Sequence, residues 1–214
     1  MLAVAHHFSK PEAGKAFRLF VDWIVRMFVA GSGRVGRVES IYASLAHNIH
    51  TKTEIRTAKS LADRMAPNIA NDTDFEAAFA RAYVSKTRLA RYYLGMLERT
   101  AAGKELPELI PNDDTKAVNL EHILPINPVD ARDEALDDGA DYTGRIGNLV
   151  LLNAKTNAII GNDSFERKRQ LLASSPFLLT REVAKYENWG SAEIDDRQAK
   201  LAKLAVKTWS MRIG

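Results

Sequence analysis

NLEHILP (Asn119–Pro125) and GRIGNLVLLNAKTNAIIGNDSFERKR (Gly144–Arg169), separated by an acidic connector, are the two runs that decide how this chain folds. Val118–Ile123 and Leu149–Leu152 are short apolar runs of the kind that forms strands, and Gly144 and Gly147 punctuate the approach to the second. Asn153 is an acceptable cap for a helix beginning near Ala154. The order is therefore strand, long loop, strand, helix. Glu121 and His122 form an acid–His pair at the end of the first strand. Asn148 stands just before the second apolar run, and Asn157 falls on the following helix. Together they make a candidate one-metal phosphodiesterase site.

The residue types suit that chemistry. Hydrolysis of a phosphodiester needs an activated water, neutralisation of charge at the phosphate and a stabilised leaving oxygen. His122 is the residue type in the motif whose ordinary pKa, near ~6.5, fits a general base at neutral pH. Glu121 offers a hard carboxylate and Asn157 a neutral carbonyl oxygen, a set matched to Mg²⁺ or Mn²⁺ that keeps several waters. Geometry imposes one condition. Neighbours on a regular strand point to opposite faces, so Glu121 and His122 can serve one site only at the strand's end, where Pro125 stops the ladder.

These elements, in this order, resemble the HNH or ββα-metal nuclease fold. More narrowly, they resemble the C-terminal module of GmrSD-type modification-dependent restriction enzymes. In that family EHI-x-P is followed by GNL-x-LL, an Asn, N-x-x-F-x-x-K and a Trp-containing helical tail. The counterparts here are EHILP, GNLVLL, Asn157, NDSFERK and the tail carrying Trp189, Ile194, Arg197 and Trp209. The likeness spans roughly residues 115–212, and RLARYYLGMLE (Arg88–Glu98) resembles the helices that precede the module. The resemblance implies that Glu121 and Asn157 hold the metal, that His122 is the base, and that Asn148 pins the loop presenting His122. Arg145, Arg167, Lys168 and Arg169 are candidates for DNA phosphate contacts, the last three being otherwise an ordinary basic helix face; Lys168 is the counterpart of the family's Lys.

What the family implies for the whole is a metal-dependent DNA endonuclease, nicking or cleaving, that acts in defence against foreign or modified DNA. The family's NTPase-like N-terminal domain has no counterpart among these residues and enters as an expected partner. Two rival expectations stand beside this one. The finger could bind DNA or a partner protein without cutting, or the chain could be a nuclease subunit active only with an NTPase-like partner.

Composition sets the outer bounds. The 214 residues allow one large domain or two small ones, and 46% hydrophobic content is ordinary for a globular core. No run reaches the ~18 apolar residues of a spanning helix; Ala16–Ala30 comes nearest and is broken by Arg18, Asp22 and Arg26. No membrane is expected. There is no signal-peptide pattern and no Cys, which points to a reducing cytoplasm and restricts any metal to O and N ligands. The net charge of +3 is unevenly spread: residues 1–105 and 142–214 are basic and residues 108–141 acidic. Basic flanks suit a polyanion, although charge runs also occur simply as solvated faces.

The expected architecture is α+β and mostly helical, with a ββα-metal finger embedded between an N-terminal helical region and a C-terminal helical cap. Gly103 and Pro107–Pro111 suggest a boundary between a helical domain, 1–105, and a nuclease domain, 106–214. A frayed tail with His6 and His7 should precede a helix that buries Phe17, Phe20, Val21, Ile24, Met27 and Phe28. GSGRVGR (Gly31–Arg37) should break that helix, and another should run from Val38 to His47. His47 and His50 stand at metal-ligating spacing but have no nearby acid or Cys. Asp72 or Asp74 should cap a helix with Phe75, Phe79, Ala82 and Tyr83. In the last helix, Ile194, Leu201, Leu204 and Ala205 form an inward face, with Arg197, Lys200, Lys203 and Lys207 as a basic stripe. Trp189 and Trp209 are expected in the core.

Overall fold

The computed structural model describes residues 1–31, 35–51, 54–103, 118–125, 142–153 and 164–213. They form a mostly helical α+β structure with one two-stranded antiparallel sheet. The chain divides into two compact units, Met1–Phe79 with Trp209–Gly214, and Ala80–Thr208. The expected boundary at 105/106, the acidic connector, Asn157 and the helix expected from Ala154 all lie outside the described residues.

The first unit contains α1 (Leu2–His7), α2 (Lys10–Val29), α3 (Val35–Thr51), α4 (Ala58–Met65) and α5 (Asp72–Phe79). The expected frayed tail is instead helix α1, because Val4 is fully buried and anchors it in the core. Pro11 sits in the first turn of α2, where its missing N–H costs nothing. The buried stripe of α2 runs through Ala16, Leu19, Phe20, Trp23 and Met27, each large side chain contributing ~1.5–3 kcal/mol. Val21 and Phe28, expected inside, are exposed, since the buried face is rotated toward Trp23 and Arg26. Thr57 and Ser60 form a reciprocal capping box at α4. At α5 the cap is Asn71, whose Oδ1 accepts from Asp74 N at 2.8 Å, rather than Asp72 or Asp74. That helix stops at Phe79, short of Ala82 and Tyr83.

Arg26, which looked like an interruption of an apolar run, is completely buried. Its guanidinium donates to Trp209 O at 2.7 Å, Ala70 O at 2.9 Å and Asp72 Oδ1 at 2.6 Å, and lies over the Phe75 ring. Trp209 packs on Phe75 and Phe79. The returning C-terminal residues are thus fastened by one arginine whose planar fork serves three acceptors.

The second unit contains α6 (Thr87–Ala102), β1 (Val118–His122), β2 (Leu149–Asn153), α7 (Phe165–Ala173), α8 (Leu178–Val183) and α9 (Ser191–Thr208). Gly103 closes α6 at φ 62°, the left-handed position that favours glycine. β1 and β2 pair from Val118↔Asn153 to His122↔Leu149. Val150 and Leu152 join Ile123, Leu172 and Val183 in one apolar cluster, with Phe165 and Trp189 against it. Glu98 on α6 accepts from the amides of Leu178 and Leu179, which ties α8 down.

Helix α9 lies on the 3-10 turn Ile146–Asn148 that leads into β2. Arg197, expected in a basic stripe, is buried and donates to the carbonyls of Gly147 at 2.5 Å and Leu149 at 2.9 Å. Gln198 takes the Gly147 amide at 3.0 Å and donates to Ala82 O at 3.0 Å. Gly147 must be glycine, because any Cβ there would overlap the Ile194 carbonyl and the Gln198 side chain.

Candidate active site

The site grows from the last two residues of β1. Glu121 pairs with Val150 and His122 with Leu149, so the two side chains leave opposite faces of the sheet. Glu121 shares its face with Val150 and Leu152, the side covered by α7. There Lys168 of α7 meets it, with Nζ 2.8 Å from Glu121 Oε1. The same ammonium donates to the backbone carbonyl of His122 at 2.8 Å. Lys168 is 1% exposed. An ammonium buried this far is costly unless it is paired and hydrogen-bonded, as Lys168 is. Burial pushes the Glu121 carboxyl above its usual range, and the bond from Lys168 pulls partly against that shift.

β1 ends at His122, and Asn148 takes over the backbone beyond it. The Asn148 carbonyl accepts from Ile123 N at 3.0 Å. Its side chain is fully buried and uses its whole hydrogen-bonding capacity. Oδ1 accepts from Leu124 N at 2.8 Å and from Trp189 Nε1 at 3.0 Å. Nδ2 donates to Leu124 O at 3.0 Å and Thr143 O at 3.2 Å. One peptide unit, His122–Ile123, is therefore held at both ends, its carbonyl by Lys168 and its amide by Asn148. His122 itself is half-buried.

The four cations expected on DNA phosphates occupy different settings. Arg167 is exposed on α7. Arg169 is half-buried and donates Nε to Ala184 O at 2.9 Å. Arg145 spends its guanidinium inside the unit, on Gln198 Oε1 at 3.1 Å, Ala80 O at 3.0 Å and Asp195 Oδ1 at 2.8 Å. Lys168 faces inward, as above. Lys168 and Asn148 are brought onto the Glu121–Ile123 segment, while the side chains of Glu121 and His122 leave opposite faces of the sheet; Arg145 lies against α9.

Trp189 is expected in the core from the sequence. It is half-buried and does more than fill space, since it bonds Asn148 and stacks on Phe165 at 5.5 Å between ring centroids. Phe165 belongs to the NDSFERK run, so the tail tryptophan links that run to the loop after His122. The recurrence of an aromatic in both motif pieces was the available signal. In the first unit, His7 Nε2 lies 3.2 Å from His50 Nδ1 at an exposed position. No group of three His, Cys, Asp or Glu that could hold a metal occurs among the described residues. No described helix is long and apolar enough to cross a membrane.

An antiparallel strand pair, an acid–His pair at its end and a lysine-bearing helix over one face define the class of module. The family model for GmrSD restriction endonucleases, C-terminal domain, matches residues 69–204, which is more than half of the chain. The chain belongs to the GmrSD restriction endonuclease C-terminal domain family. A comparison with curated proteins returned no match. The matched region begins upstream of the strands and takes in α5 and α6.

Proposed function

We propose that this chain is an HNH-type endonuclease that hydrolyses DNA phosphodiesters with the help of a divalent metal, in defence against foreign or modified DNA. The observation that carries the reading is the His122–Ile123 peptide, fixed by Lys168 on one side and Asn148 on the other directly after Glu121. A base on a strand end is useful only if it cannot wander, since about 1 Å of displacement costs on the order of 10²-fold in rate. The His122 imidazole accepts a proton from the attacking water. The water oxygen bonds to phosphorus, one P–O bond breaks, and the leaving oxygen takes up a proton.

The donors present suit a hard cation. Glu121 presents a carboxylate that burial and Lys168 hold in one place, and Asn157 would add a neutral oxygen. Mg²⁺ or Mn²⁺ bound there would neutralise charge on the phosphate and the leaving oxygen. Arg167 is the expected cation best exposed to meet the DNA backbone. Asn148 acts on the loop and not on substrate, because each of its side-chain hydrogen-bonding sites is already taken. Supercoiled plasmid incubated with Mg²⁺ should be nicked or cut by the purified chain, and EDTA or His122→Ala should stop it. A chain that binds the plasmid yet leaves it intact in Mg²⁺ and in Mn²⁺ overturns the reading.

A further inference from the structure

We propose that Lys168 is a positioning residue of this cleavage reaction, acting from inside the protein on Glu121 and on the His122 backbone rather than on DNA. The inference rests on the reading of Glu121 as metal ligand and His122 as base. Its ground is the placement of one ammonium on two consecutive residues. Strand alternation sends the Glu121 and His122 side chains to opposite faces. Lys168 recouples them, because its Nζ grips Glu121 Oε1 and the His122 carbonyl, both at 2.8 Å. Movement of either residue would break a bond to the other's anchor.

Burial separates this role from phosphate binding. At 1% exposure Lys168 offers DNA almost no accessible surface, whereas its neighbour Arg167 is exposed. The carboxylate is constrained as well. The bond from Lys168 to Oε1 fixes the orientation in which the Glu121 carboxylate would hold a divalent cation. The second anchor, Asn148, acts on the amide side of the same peptide unit. The base is therefore located by two residues that come from different elements, α7 and the turn before β2.

Lys168→Met tests this by keeping the length of the side chain and removing the ammonium. Three quantities decide, measured beside wild type and His122→Ala: thermal stability, the salt dependence of binding to a labelled duplex in EDTA, and the kcat and KM of plasmid cleavage in Mg²⁺. The expected result, well below the melting temperature, is a kcat lowered by ~10–10²-fold with KM nearly unchanged. The slope of log K against log salt should equal that of wild type. A slope flattened by about 0.9 with kcat preserved would make Lys168 a phosphate contact and overturn the proposal. A lowered melting temperature with wild-type kcat would reduce it to a structural pair and also overturn it. Should Lys168→Met fail to fold, Lys168→Arg keeps the charge but not the geometry: a lowered kcat supports positioning, and a wild-type kcat rejects it. If wild type cuts, His122→Ala does not and Lys168→Met cuts at full rate, this proposal alone falls; a wild type inert in Mg²⁺ and Mn²⁺ removes both readings.

Discussion

The indole of Trp189 donates to the side-chain oxygen of Asn148 at 3.0 Å, while the same oxygen accepts the Leu124 amide at 2.8 Å. A residue in the helical tail thereby fixes the orientation of the amide that holds the loop after His122. Trp189→Phe keeps the stack on Phe165 and deletes the bond. It should cost about 1 kcal/mol. Asn148→Ala should cost more, ~1–3 kcal/mol for each buried group left without a partner, because it removes the acceptor of Leu124 N and Trp189 Nε1 and the donor to Leu124 O together. Urea unfolding of both variants gives the order; a Trp189→Phe protein less stable than Asn148→Ala would contradict it.

His122→Ala should lower cleavage by ~10²–10⁴-fold, the usual cost of a lost general base. Its side chain is half-buried at a strand end, and the bonds that fix its backbone come from Lys168 and Asn148. Melting temperature and DNA affinity should therefore stay close to wild type. A folded His122→Ala protein that nicks plasmid at the wild-type rate would remove His122 from the reaction.

The strand pair was legible in the sequence because its signals are local: two short apolar runs, glycines before the second, and a proline after the first. The acid–His pair could be placed at the strand's end for the same reason. The inward turn of Lys168 was not legible. Arg167, Lys168 and Arg169 read as one basic triplet, and only the packing of α7 on the Val150–Leu152 face decides which of the three enters. The burial of Arg26 and Arg197 was illegible for the same reason. One interrupts an apolar run and the other stands in a basic stripe, yet each is buried by carbonyls contributed by segments distant in sequence. Periodicity finds the face of a helix but not the acceptors that another segment brings to it.

Burial gives Asp22 of α2 a pH-dependent effect on stability. It pushes the carboxyl up from 3.8 to about 7, against the pull of Arg26 and Arg18. The folded state then binds the proton more tightly than the unfolded chain, so stability falls as pH rises from about 4 to about 7 and levels off above. Asp22→Asn is neutral throughout and escapes that loss. Its melting temperature should match wild type near pH 4 and exceed it near pH 8, the gap opening between about 4 and about 7. A gap that is constant with pH would mean that Asp22 does not titrate with folding.

Arg167 and Arg145 are both arginines that were expected on DNA, and their settings predict opposite phenotypes. Arg167 is exposed on α7. If it meets a phosphate, its replacement by Ala releases one fewer counterion on binding. The slope of log K against log salt should then flatten by up to ~0.9, with affinity falling equally for unrelated duplexes, because phosphate contacts carry no sequence information. Stability should change by no more than ~1 kcal/mol, the usual ceiling for an exposed charge. Arg145→Ala should do the reverse. It removes bonds to Gln198, Ala80 and Asp195 and so loosens the turn that precedes Asn148, lowering stability by ~1–3 kcal/mol. Its salt slope should remain that of wild type. Fluorescence anisotropy across a salt series, run beside thermal melts, separates the two; an Arg145→Ala protein of normal stability with a flattened slope would exchange their roles.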